Sequence, residues 1–129
     1  MKQCPVVHFE MPAKDSKRMA NFYASVFGWH TQDMGKEMGD YVLAGTVASD
    51  QNGRPTQAGG INGGLYPKTD DSDVTSVVIS VDDIDEYCEK VKKAGCKLLN
   101  EKVKIPGVGW YVSFIDTEGN KVSMLQAEM

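Results

Sequence analysis

Apolar and polar residues alternate in short runs along this chain, and at two places the period lengthens from two to between three and four. Residues 5–10 (PVVHFE) set Val7 and Phe9 against Val6, His8 and Glu10. That alternation predicts a strand in which His8 and Glu10 share one face. Asp15-Ser16 is a good helix start. Beyond it Met19, Phe22, Tyr23, Val26 and Phe27 recur at three- and four-residue spacing, which predicts a helix with one apolar stripe. Gly28 stands where a C-cap glycine belongs. Residues 29–33 and 40–48 predict two more strands. Residues 49–64 are rich in Gly, Asn, Gln and Ser, and predict a loop leading into a glycine-rich fourth strand that ends near Leu65-Tyr66.

A polar stretch over residues 67–73 predicts a linker, and the pattern then starts again. Residues 74–81 (VTSVVISV) predict a strand. Asp82-Asp83 begins a second helix, with Ile84, Tyr87, Val91 and Ala94 on its apolar stripe and Gly95 closing it. Strands are expected at 97–103, 109–115 and 121–126, with a turn at Asp116-Thr117-Glu118-Gly119-Asn120 between the last two. Strand, Asp, helix, Gly and three strands thus occur twice, in pattern but with little shared identity. The expectation is an α+β fold in one domain, residues 1–129. Residues 5–66 and 74–126 form two βαβββ modules, joined by the 67–73 linker and related by pseudo-twofold symmetry.

Three phrases carry a resemblance. Val7-His8-Phe9-Glu10, Asp15 and Phe22-Tyr23-Ala24-Ser25-Val26-Phe27-Gly28-Trp29 resemble the opening of the glyoxalase/bleomycin-resistance/dioxygenase proteins, the vicinal oxygen chelate superfamily. Val81-Asp82-Asp83-Ile84-Asp85 is similar to that family's start of the second helix. Asp116-Thr117-Glu118-Gly119-Asn120 is similar to its last turn, with Thr117 where Pro is usual. The resemblance implies sheets curled into an open cleft or barrel, with helices outside. It also implies homodimerisation.

In metal-using members of that family, His, Gln or Glu side chains hold a divalent ion, one from the first and last strand of each module. The first position falls on His8. The second falls in Ile61-Asn62-Gly63-Gly64-Leu65-Tyr66, which has no His, Glu or Gln. The third and fourth fall on about Ser76 and on Ser123. Neutral hydroxyls hold transition metals poorly, so no metal of the family type is expected as a cofactor. His8 is then a cleft histidine, acting as a general base or as a hydrogen-bond partner to a ligand. Glu10, Tyr41, Ser76, Trp110, Tyr111 and Ser123 are the other candidate cleft residues. Trp110 and Tyr111 are adjacent, so as strand neighbours one is expected on the helix side and one in the cleft.

Composition narrows the function classes. The net charge is −4, with 18 acidic and 14 basic residues among 129. A mildly acidic chain without basic runs argues against nucleic acid as partner. No apolar run is long enough for a membrane helix, so no membrane partner and a cytoplasmic location are expected. Cys4, Cys88 and Cys96 are odd in number and lack paired spacing, which predicts free thiols. The function expected is binding of a small organic molecule. The alternative is a lyase, isomerase or dioxygenase of the same superfamily that uses His8 with a divalent metal.

Overall fold

The computed structural model describes residues 2–128. In chain order the elements are β1 (Val6–Ala13), α1 (Ser16–Phe27), β2 (His30–Asp33), β3 (Val42–Gly45), β4 (Asn62–Pro67), β5 (Ser76–Ser80), α2 (Ile84–Lys93), β6 (Lys97–Leu98), β7 (Val103–Ile105), β8 (Gly109–Ile115) and β9 (Lys121–Ala127). The fold is α+β, with parallel and antiparallel strand pairs. The chain divides into two compact units, one of residues 8–75 and one of residues 1–7 with 76–129.

In the unit of residues 8–75, β3 lies between β2 and β4 in antiparallel pairing, and β4 runs parallel to β1. The return to a parallel partner needs a crossover, which α1 supplies. Asp15 caps α1, its carboxylate accepting from the Arg18 N–H at 3.0 Å. Gly28 ends the helix at φ +72, a left-handed conformation that suits glycine. Two hydrogen bonds close the turn, Gly28 N–H to the Ala24 carbonyl and Trp29 N–H to the Tyr23 carbonyl. The turn brings the Trp29 ring onto Tyr23, stacked at 4.5 Å, and beside Phe9 at 5.5 Å. The core gathers Ala20, Val42 and Leu65, with Met11 and Met19 against them.

Only part of the expected α1 stripe is covered. Met19, Ala20 and Tyr23 turn inward, while Phe22, Val26 and Phe27 remain about half exposed or more. Four strands of modest width cover one side of a helix, and the stripe read from the sequence is wider than that side.

In the second unit, β5 is parallel to β9, β9 antiparallel to β8, and β8 also pairs with β6 and β7. Asp83 caps α2 through the Asp85 and Glu86 N–H groups. The Gln126 side-chain carbonyl accepts from the Ile84 N–H at 2.9 Å, tying the start of the helix to β9. The core here is Val81, Ile84, Val112 and Met124. The single strand expected over 97–103 is two short ones. After Leu99 the side chain of Asn100 takes the Ser113 N–H at 3.0 Å, in place of a backbone carbonyl. A side-chain acceptor that satisfies the ladder releases the backbone from it.

Candidate functional site

Strand alternation sorts the residues of the first unit onto two faces. Phe9, Met11 and Ala13 of β1 face α1, together with Leu65 and Val42. His8 and Glu10 therefore lie on the other face. Register extends that face across the sheet, since His8 aligns with Asn62, Glu10 with Gly64, and Gly64 with Leu43. Tyr41 stands two residues before Leu43 and shares its side.

The glycine at 64 decides what this face looks like. Gly64 is buried, and a methyl group built on its α-carbon would fall on the hydroxyl and ring of Tyr41. The Tyr41 side chain thus lies across a strand that has no side chain of its own there. Its hydroxyl reaches 3.0 Å from His8 Nε2 and donates toward Glu10 Oε2 at 3.4 Å. An ionised carboxylate only accepts, and a phenol has one proton to give. With that proton directed to the carboxylate, the Tyr41 oxygen accepts from His8 Nε2–H. The chain then runs His8 to Tyr41 to Glu10 and leaves His8 Nδ1 with the lone pair.

His8 is half-buried. Burial lowers its pKa from the ordinary 6.5, outweighing the opposing pull of the Glu10 charge. The ring is accordingly neutral at physiological pH, able both to donate and to accept. Tyr66 lies on the same face, two residues beyond Gly64. Burial, with the charges of Asp73 and Glu10, pushes its hydroxyl up to about 12, so it is a neutral phenol. Tyr66 and Gly64 are not among the candidates that the sequence suggests. The two-residue period of β4 carries the signal for both.

The second unit has a polar group of another kind. Ser113 and Ser123 face each other across β8 and β9. Their hydroxyls are 2.8 Å apart, and the Tyr111 hydroxyl is 2.7 Å from that of Ser123. Ser113 and Ser123 are buried. Ser76 is buried too, on the face that Val78 shares with Ser123. Ser113 was absent from the residues expected, although its place opposite Ser123 follows once the hairpin turn at 116–120 sets the register.

Trp110 does not join this group. As the neighbour of Tyr111 on one strand it must point the other way. It packs beside the Val112–Met124 cluster, with the Lys102 ammonium 4.7 Å from its ring.

The donor set does not fit a metal of the family kind. Among the described residues, no three His, Cys, Asp or Glu side chains come together. In the first unit the strand beside His8 holds a glycine under a tyrosine, and in the second unit Ser123 sits among hydroxyls bonded to one another. Cys4, Cys88 and Cys96 are free thiols, and burial pushes the Cys88 thiol up. Among the described residues no helix is long and apolar enough to cross a membrane.

Paired βαβββ patterns, their capped helices and a polar face built on β1 and β4 define a class of protein. The family model described as "Glyoxalase/Bleomycin resistance protein/Dioxygenase superfamily" matches residues 6–124, and this chain belongs to that superfamily. A glyoxylase-like domain-containing protein of Didymella fabae is 32% identical over 116 residues, covering 86% of this chain and 84% of the relative. Among solved structures, a hypothetical protein from Bacillus halodurans C-125 is similar with a TM-score of 0.71 at 14% identity, over 99% of this chain and 97% of the other. Methylmalonyl-CoA epimerase from Mycobacterium tuberculosis is similar with a TM-score of 0.67 at 15% identity, over 96% and 88%. At such identities the two structures speak for the fold alone.

Proposed function

We propose that this chain binds a small organic molecule on the face that carries His8, Glu10 and Tyr41, without a metal ion of the family type. The observation that carries this reading is the hydrogen-bonded chain His8–Tyr41–Glu10, half-buried on the side of the sheet away from α1. A neutral imidazole and a neutral phenol suit a ligand with carbonyl or carboxylate oxygens. His8 is the residue that would accept a proton from such a ligand, with Tyr41 and Glu10 holding its ring. Among the candidates of the second unit, Tyr111 is half-buried, while Ser76 and Ser123 are buried.

A second reading is an enzyme of the superfamily, a lyase, isomerase or dioxygenase that uses His8 with a divalent ion. It is favoured by His8 standing at the first ligand position and being uncharged, as a metal ligand must be. The likeness to methylmalonyl-CoA epimerase makes a coenzyme A thioester of a branched dicarboxylic acid the first compound to try. The family resemblance also supports a homodimer.

The test is a melting-shift and NMR screen with methylmalonyl-CoA and a set of small aromatic and aliphatic acids. It is run on the wild type, His8→Gln and Tyr41→Phe, each after chelator treatment. Binding that survives chelation and weakens at least about tenfold in both variants, near 1.4 kcal/mol, supports the first reading. Turnover that is lost on chelation and restored by one divalent metal overturns it in favour of the second.

A further inference from the structure

We infer that Tyr41, seated in the space that Gly64 leaves, closes the Nε2 side of His8 to metal ions, so that a tyrosine hydroxyl stands where a metal-ligand bond to that nitrogen would form. The inference goes beyond the proposed function and does not depend on which molecule binds.

Three observations carry it. The first is steric. Gly64 is buried and aligned with Glu10, and any side chain on it would collide with the Tyr41 hydroxyl. The strand that would present a second ligand beside His8 therefore presents none, and the tyrosine requires that it present none. The second is geometric. The Tyr41 oxygen lies 3.0 Å from His8 Nε2, whereas a zinc ion sits about 2.0–2.1 Å from an imidazole nitrogen. An ion bound to Nε2 would fall almost against the phenol oxygen, so Tyr41 would have to leave that nitrogen. Glu10 remains as a weak hold on an ion, while the phenol is a poor ligand so long as it keeps its proton.

The third observation comes from the other unit, independently. Ser123 is fully buried, and its hydroxyl is held by those of Tyr111 at 2.7 Å and Ser113 at 2.8 Å. There too a tyrosine hydroxyl engages the residue at a position where the family places a metal donor.

If Tyr41 is the barrier, removing it and introducing a carboxylate at 64 brings His8, Glu10 and the new side chain together. The full chain is loaded with zinc or nickel, passed through gel filtration and assayed for retained metal, with melting followed in parallel. The wild type and Tyr41→Phe are expected to retain none. Tyr41→Ala/Gly64→Glu is expected to retain close to one ion per chain and to melt higher with zinc. Adding His8→Ala to it returns retention to none. A wild type that retains a stoichiometric ion lost in His8→Ala overturns the inference. So does a folded Tyr41→Ala/Gly64→Glu chain that retains no more metal than the wild type.

A double-mutant cycle keeps the inference testable should that variant fail to fold. Gly64→Ala should lower the melting temperature by roughly twice as much or more in the wild type as in a Tyr41→Ala background. Equal drops in both backgrounds would show that Gly64 does not house Tyr41, and would overturn the inference.

Discussion

His8 is a half-buried base whose folded-state pKa lies below its unfolded value, and this has a consequence for stability. Between the two values the unfolded chain binds more protons than the folded one, so stability rises with pH. The contribution is complete above the unfolded value near 6.5 and is lost as pH falls from there through the lowered folded value. Urea melts of the wild type should weaken as pH falls through that window, and His8→Gln should flatten the slope. An equal slope in both proteins would place the titrating group elsewhere. Gly109 is a different single-residue case. It sits at φ +142, and a methyl group on it would run into the Gln126 backbone carbonyl. Gly109→Ala should cost about 2 kcal/mol in chemical denaturation, because both the dihedral and the contact oppose it.

At the scale of elements, the two helices depend on their caps and on one covered side. Asp15→Ala removes the acceptor for the Arg18 N–H and should cost about 1 kcal/mol. Asp83→Ala should cost a similar amount, while Gln126 still holds the Ile84 N–H. The uneven cover of α1 gives a contrast. Leu65 is fully buried, and Leu65→Ala should cost about 2–5 kcal/mol. Val26 is 58% exposed, and Val26→Ser should change stability by less than about 0.5 kcal/mol. Comparable losses from the two would mean that the outer side of α1 is covered in solution. Sequence periodicity named both residues as apolar, yet it cannot say how wide a sheet the helix will meet.

At the scale of the molecule, β1 is shared. Val6 and Val7 belong to one compact unit and His8 to Ala13 to the other. A continuous strand leaves no linker at that junction, and we expect the chain to unfold as one domain. Calorimetry should give one transition with equal calorimetric and van't Hoff enthalpies. Val112→Ala and Leu65→Ala, in different units, should each shift that same transition. Two resolved transitions would make the units separate domains.

The amino-acid sequence by itself determined the order of elements, both helix starts, the Gly28 turn, the last hairpin turn and the family. These are local matters. A cap, a left-handed glycine and an alternating strand depend on residues within a turn or two of one another, and their chemistry is legible in a short window. The sequence also placed His8 and Glu10 on one face, and it put no His, Glu or Gln in β4 and a serine at position 123. What only the tertiary structure decided was which strangers meet. Tyr41 reaches His8 across 33 residues of chain because β3 and β4 pair in one register and Gly64 leaves room. Tyr111 finds Ser123, and Trp110 turns away to α2, through the pairing of β8 with β9. Such contacts are set by strand register and by the volume that a neighbour does not fill. Neither quantity is a property of any residue read alone.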